Sequence, residues 1–230
     1  MHSPDVDAHS RHGCTEHAAP SPQPLTEKSQ RSIMHAFLTD TRSRTAPPTD
    51  SGPTSGPPTA RALFIGCSDA GVSPALLTGA APGELYELRT AAQIIPRFRP
   101  GAHCGVGGTL EFALGVLGVR DVILCGHGNC TALDSLRRDP SVAHLPLVHN
   151  WFSRAAHRTR ADDAQQHADP TSSTAAEQRH LLAQLHHLRT YPCVTRRLAK
   201  RQVTLHAWHH DDATGDMLAW DATRRSFQPV

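Results

Sequence analysis

The sequence predicts an α/β fold, a central and mostly parallel β-sheet flanked by helices, and three features predict it. Two short apolar runs, Ala62-Leu-Phe-Ile-Gly66 and Val122-Ile-Leu-Cys-Gly126, are each closed by glycine and read as strands buried on both faces. Between them, Leu110, Ala113, Leu114 and Leu117 fall on one face of a helix. A strand, helix, strand order makes a right-handed crossover, which sets the two strands parallel and close together.

The remaining elements follow in order. After the first strand, Gly71-Val-Ser-Pro74 introduces a short helical turn over 75–77, with proline near its start. Pro82-Gly83 is a turn, and Glu84-Leu-Tyr-Glu-Leu-Arg89 mixes polar and apolar residues as a less deeply buried second strand does. Gly105-Val-Gly-Gly leads to Thr109, the expected N-cap of the helix before the second ligand-bearing strand. The stretch 153–172 carries Arg154, His157, Arg158, Arg160, Asp162, Asp163 and Pro170 with few apolar residues, a solvated helix or a mobile insert. Leu181, Leu182, Leu185 and Leu188 mark a helix over 177–188, and Pro192 opens a short one through about Ala199. Val203-Thr-Leu-His-Ala207 is the last strand of the core, and Trp208 to Trp220, turning at Gly215, adds a hairpin or an edge strand.

Composition divides the chain at about residue 58. Residues 1–58 are rich in Ser, Thr, Pro and His, too poor in apolar side chains to pack, and are expected to be disordered. Within them, Ile33, Met34, Phe37 and Leu38 give 31–39 the spacing of a short docking helix. Residues 59–230 are long enough to bury the core of one domain. A net charge of +2 without a basic, aromatic-studded stripe argues against a nucleic-acid partner. Gly105-Val-Gly-Gly neither follows a strand nor completes G-x-G-x-x-G, which argues against a nucleotide site. No stretch is apolar over the ~20 residues of a membrane span, and the first residues lack the pattern of a secretory signal. Six cysteines in such a chain suit reduced thiols or metal ligands, and the expected location is the cytoplasm.

The chemistry gathers where the two buried strands end. The first runs into Cys67-Ser-Asp69 and the second into His127-Gly-Asn-Cys130, so soft metal ligands sit at strand C-termini, where open α/β sheets place their sites. Two thiolates and one imidazole outline a zinc site. Three protein ligands plus a water make a catalytic centre, and a fourth protein ligand closes the site into a structural one. Asp69 has three readings: a carboxylate beside the metal, the fourth ligand, or an N-cap for the helical turn after it. Cys104 and Cys193 lack ligand spacing and read as packing residues, and His206 and His209 as residues of packing and surface. His2, His9, His12, Cys14 and His17 are scattered metal-capable groups in the polar tail.

Taken together, Cys67-Ser-Asp-Ala, Pro82-Gly-Glu-Leu-Tyr-Glu-Leu-Arg89, Ile94-Ile-Pro96, Thr109-Leu-Glu-Phe-Ala113, Cys125-Gly-His127, Tyr191-Pro192 with Val194, and Leu205-His-Ala-Trp208 with Thr214-Gly215 resemble the β-class carbonic anhydrases over about residues 60–228. The resemblance implies that Cys67, His127 and Cys130 bind Zn2+ and that Asp69 is the carboxylate beside it. It further implies reversible hydration of CO2 to bicarbonate by zinc-hydroxide attack, and a homodimer or tetramer in which 31–39 crosses between subunits. One departure stands out. The family places an arginine two residues after this aspartate to hold it off the zinc, and here that residue is Gly71. Arg89, Arg97 and Arg99 are candidates to replace it, and Thr131 stands where the family has glycine. The alternative implied by Gly71 is a weakened, closed-site homologue acting as a binding or regulatory protein; a related CS2 or COS hydrolase is a further one.

Overall fold

The computed structural model describes residues 60–138, 144–153 and 173–230. The expectations for 1–58, including the helix at 31–39, and for the stretch after Ser153 up to 172 lie outside the described residues.

In chain order the elements are β1 (Ala62–Cys67), α1 (Pro74–Thr78), β2 (Leu85–Thr90), a 3-10 turn (Ala91–Gln93), α2 (Gly105–Gly115), β3 (Asp121–His127), α3 (Thr131–Arg138), α4 (146–153), α5 (Ser173–Leu188), α6 (Pro192–Ala199), β4 (Thr204–His210), β5 (Met217–Asp221) and β6 (Ser226–Pro229). The strands form one sheet in the order β2-β1-β3-β4-β5-β6. The first four run parallel, as the crossover argument requires, and the last two extend the sheet antiparallel. From β1 the chain moves outward to β2, then returns through α2 to the other side of β1 as β3. The C-terminal ends of β1 and β3 therefore flank the point where the winding reverses, the place at which open α/β sheets form a crevice.

Every residue of β1 is buried. Leu63 and Ile65 face one layer, packed with Val122, Leu124, Leu110, Leu114 and Leu181, while Ala62 and Phe64 face the other, with Ile123, Cys125 and Trp208. Leu63, Ile65, Ile123 and Leu124 have no exposed surface, and each such side chain contributes roughly 1.5–3 kcal/mol by leaving water.

Two boundaries differ from expectation. Helix α2 starts at Gly105 behind Cys104, four positions ahead of the expected cap at Thr109. Its glycines weaken the helix locally, but a Cβ at Gly107 would lie 3.1 Å from the ring of Tyr191, so the close seat of α2 against α6 requires that residue to be small. Strand β4 runs on to His210, because Gly126 and His127 of β3 pair with His209 and His210, and β5 pairs with the same end from the other side.

Candidate metal centre

Cys67 is the last residue of β1 and His127 the last of β3. Two residues later the backbone turns through Asn129, whose φ of 53° is left-handed, a conformation asparagine tolerates better than most side chains. That turn brings Cys130 back to the site, where its carbonyl accepts the Asp134 N–H at 2.9 Å and opens α3. Ligand atoms of Cys67, Asp69, His127 and Cys130 all lie within 4.8 Å of one another, the three soft ligands buried and Asp69 exposed.

This donor set fits zinc. The thiol sulfurs of Cys67 and Cys130 are 3.7 Å apart and unbridged, whereas two 2.3 Å bonds to one tetrahedral zinc would set them about 3.8 Å apart. His127 Nδ1–H donates to the Gly128 carbonyl at 2.9 Å and to Asp212 Oδ2 at 3.1 Å. Both partners only accept, so the proton sits on Nδ1 and the lone pair on Nε2. That Nε2 is buried without a hydrogen-bond partner, an arrangement that costs free energy unless a cation takes the lone pair.

One of the two thiols is prepared for ionisation even without metal. The hydrogen bond from Cys130, followed by the neighbouring His127 ring and the backbone N–H groups of Asp69 and Ala92, outweighs burial and lowers the Cys67 thiol to about 4. Cys130 is pushed up by its ionised neighbour. Burial opposes charge on His127, but its contacts with Cys67 and Asp212 prevail and raise it to about 9, so without metal a proton holds the Nε2 position that a metal ion would take over. Cys125, two residues before His127 on β3, packs with Phe64, Ile123 and Trp208, and burial drives it up to about 12.

A family model described as carbonic anhydrase matches residues 62–217, well over half of the chain. The chain belongs to the β-class carbonic anhydrases. It is 39% identical over 168 residues to a carbonic anhydrase of Pseudomonas aeruginosa, covering 73% of this chain and 76% of that one. To carbonic anhydrase 1 of Escherichia coli O157:H7 it is 34% identical over 171 residues, covering 74% and 78%. Among solved structures, the β-carbonic anhydrase CcaA superposes with a TM-score of 0.67 at 29% identity, over 88% of this chain and 86% of that one. A Coccomyxa β-carbonic anhydrase in complex with acetazolamide, at 21% identity and a TM-score of 0.61 over 88% and 84% of the chains, supports the fold alone.

Within this carbonic anhydrase fold, the replacement for the arginine missing at 71 is not another arginine. Arg89 donates from Nε and Nη2 to the Cys67 carbonyl at 3.1 and 3.0 Å, and from Nη2 to the Ala70 carbonyl at 2.6 Å. It braces the loop that carries Asp69 without pairing with the carboxylate, and Arg97 and Arg99 are exposed. Asp69 Oδ2 instead accepts the backbone N–H groups of Thr131 at 2.6 Å and Ala132 at 3.3 Å. Asp69 is thus an N-cap, but of α3, 62 residues on, and not of the turn that follows it; at α1, Ser73 occupies the N-cap position without a side-chain bond. The first amides and positive end of α3 hold the carboxylate in place.

Two groups of residues escaped the sequence reading. The first holds the segment after β2, where the Ala92 N–H points at Cys67 Sγ from 3.2 Å. Ala92 and Gln93 sit there at φ of 55° and 40°, unfavourable for side chains with a Cβ. From α5, His180 Nε2–H donates to the Ala92 carbonyl at 2.7 Å, Gln184 Oε1 accepts the Ile95 N–H at 2.9 Å and His187 Nδ1–H donates to the Ile95 carbonyl at 2.6 Å. Tyr191 O–H closes the strap on the Pro96 carbonyl at 2.7 Å. The signal was present in the spacing: 180, 184 and 187 form a polar stripe at helical period beside the leucines that were read.

The second group is the histidines of β4. His206 and His209 are buried and bonded to carboxylates, where surface or packing roles had been expected: His206 Nε2–H donates to Asp121 Oδ1 at 2.9 Å and His209 Nε2–H to Glu177 Oε2 at 3.1 Å. Parallel pairing of β4 with β3 turns them inward. Cys104 and Cys193 pack against the core as expected.

Proposed function

We propose that this protein is a zinc-dependent carbonic anhydrase, a carbonate dehydratase interconverting CO2 and bicarbonate, with Cys67, His127 and Cys130 as zinc ligands and Asp69 as the catalytic carboxylate. The observation that carries the reading is the bare, buried Nε2 of His127 facing two thiols 3.7 Å apart at the switch point of the sheet. Zinc held there supplies Lewis acidity that brings the pKa of a water toward neutrality. The protein's own groups do the rest. N–H groups of Ala92 and Asp69, at 3.2 and 3.4 Å from Cys67 Sγ, draw charge from the thiolate, so the site donates less strongly than two bare thiolates would. Exposed at the mouth of the buried cluster, Asp69 stands where its carboxylate, by accepting a hydrogen bond from the reacting O–H, orients that oxygen toward CO2.

Stopped-flow CO2 hydration by the zinc-loaded protein, across roughly pH 6.5 to 9 where zinc-bound water titrates, is expected to exceed the buffer rate and to rise with pH. A rate no better than buffer throughout overturns the reading.

Gly71 gives a second prediction. A Cβ at residue 71 meets nothing within 4 Å, so a side chain can start there without a clash. Charge-assisted hydrogen bonds of Asp69 are each worth about 1.5–3 kcal/mol, and the amides of α3 already provide two. Adding the guanidinium in Gly71→Arg is expected to raise the hydration rate by up to about tenfold by holding the carboxylate off the metal more of the time. An unchanged or lower rate from a folded, zinc-loaded variant counts against that role for Asp69.

The same reading makes 59–230 one catalytic domain working in the cytoplasm, in keeping with the free state of Cys67, Cys104, Cys125, Cys130 and Cys193. Among the described residues no helix is long and apolar enough to cross a membrane. Assembly as a homodimer or tetramer is supported by Phe112 in the last turn of α2 and Val116 just after it, 44% and 70% exposed, and by a structural neighbour described as tetrameric from Sordaria macrospora.

A further inference from the structure

We infer that Asp212 is a positioning residue of the metal centre, one carboxylate clamping two imidazoles so that His127 presents Nε2 to the ligand cluster. This rests on the zinc reading of the site. The two oxygens are divided between two rings: Oδ2 accepts from His127 Nδ1–H at 3.1 Å and Oδ1 from His210 Nδ1–H at 2.7 Å. His127 and His210 are 5% and 10% exposed at their side chains and Asp212 31%. The carboxylate thus sits at the edge of the protein with both its working oxygens turned inward.

The backbone is shaped to permit this contact. His127 and His210 are register partners at the ends of β3 and β4. The next residue, Gly128, donates its N–H to the His210 carbonyl at 2.9 Å. A Cβ on Gly128 would lie 3.3 Å from the Asp212 backbone nitrogen and 3.9 Å from the Asp211 Cα. Glycine there lets the 211–212 backbone come close enough for the Asp212 side chain to reach across to His127. The loop is itself tied down: the Asp211 N–H donates to the Asp216 carbonyl at 2.9 Å, and Asp211 Oδ1 accepts the Ala213 N–H at 2.9 Å.

The clamp has two chemical consequences. A carboxylate accepting from Nδ1–H fixes the tautomer whose lone pair is on Nε2, and it makes that nitrogen a stronger donor than the Gly128 carbonyl alone would. His210, held on the other oxygen, stops the carboxylate from rotating away into solvent. The role is positional: Asp212 acts through the ring of His127.

Zinc affinity by chelator competition, together with the visible spectrum of the cobalt(II)-substituted protein, tests the inference on the full chain. Asp212→Ala is expected to weaken zinc binding about 10- to 100-fold and to shift the cobalt bands, with the thermal midpoint of the metal-free protein little changed. Asp212→Asn keeps an accepting oxygen without the charge and is expected to lie between wild type and the alanine variant, which a purely structural role for the side chain would not produce. His210→Ala, which frees one side of the clamp, is expected to give a smaller loss of affinity. If Asp212→Ala and Asp212→Asn both bind zinc within twofold of wild type and leave the cobalt spectrum unchanged, the inference is overturned. Absence of CO2 hydration by a wild-type protein that binds zinc tightly would instead strike the carbonic anhydrase reading, so the two failures are distinguishable.

Discussion

Glu177→Ala is expected to destabilise the domain by about 3 kcal/mol, the lower end of the range for breaking a buried ion pair. Glu177 is 4% exposed and His209 not at all, and their bond joins α5 to β4. Removing the carboxylate strands His209 Nε2 in the core, where Nδ1 already lacks a partner, and Ser173 Oγ loses its acceptor. In a thermal melt the loss corresponds to a midpoint lowered by roughly 6–12 °C. Glu177→Gln, which still accepts a hydrogen bond, should lose less. Burial opposes ionisation of Glu177, but the hydrogen bond and charge of His209 prevail and hold the carboxyl below its ordinary value of 4.5. Because the folded value is the lower one, the stabilisation is complete above that ordinary value and disappears as the pH falls through the folded one. An alanine variant melting within 2 °C of wild type, as a rough bound, would show that the pair does not hold α5 in place.

Cys130→Ala is expected to give a folded protein that no longer retains zinc and hydrates CO2 at least about a thousandfold more slowly, equivalent to about 4 kcal/mol of barrier. Folding should survive, because Cys130 packs among Ala92, Ile94, Leu133 and Phe152, and alanine removes only the sulfur from that cluster. Metal binding should not, because one of two thiolates is lost and the remaining soft donors, Cys67 and His127, fall short of a zinc site. Elemental analysis after gel filtration reads the first effect and stopped-flow hydration the second. Retained zinc with activity within tenfold of wild type would remove Cys130 from the ligand set.

These two predictions draw on different kinds of information. Cys130 was legible in the sequence, because H-x-x-C at the end of a glycine-closed apolar run is a local pattern that carries its own geometry. The Glu177 to His209 pair was not: the two residues are 32 positions apart, and nothing in either segment says that β4 lies beside β3 with α5 across it. For the same reason the leucines of α5 announced a helix, while His180, Gln184 and His187 between them passed as unremarkable polar residues until the strap at 91–96 was seen to lie against them. The cap expected at Thr109 erred the opposite way: propensity disfavoured a helix through Gly105 to Gly108, and packing against Tyr191 overrode it.

By itself the sequence determined the main strands and the soft ligands at the ends of two of them, because burial periodicity and ligand spacing are set by neighbours within about ten residues. Only the tertiary structure decided what surrounds those ligands: Asp69 on the amides of α3 and not on an arginine, Arg89 on loop carbonyls, Asp212 on His127 across 85 positions. Such contacts depend on strand order and on which backbone comes within 3 Å of which side chain, and both emerge only when the sheet closes around its core.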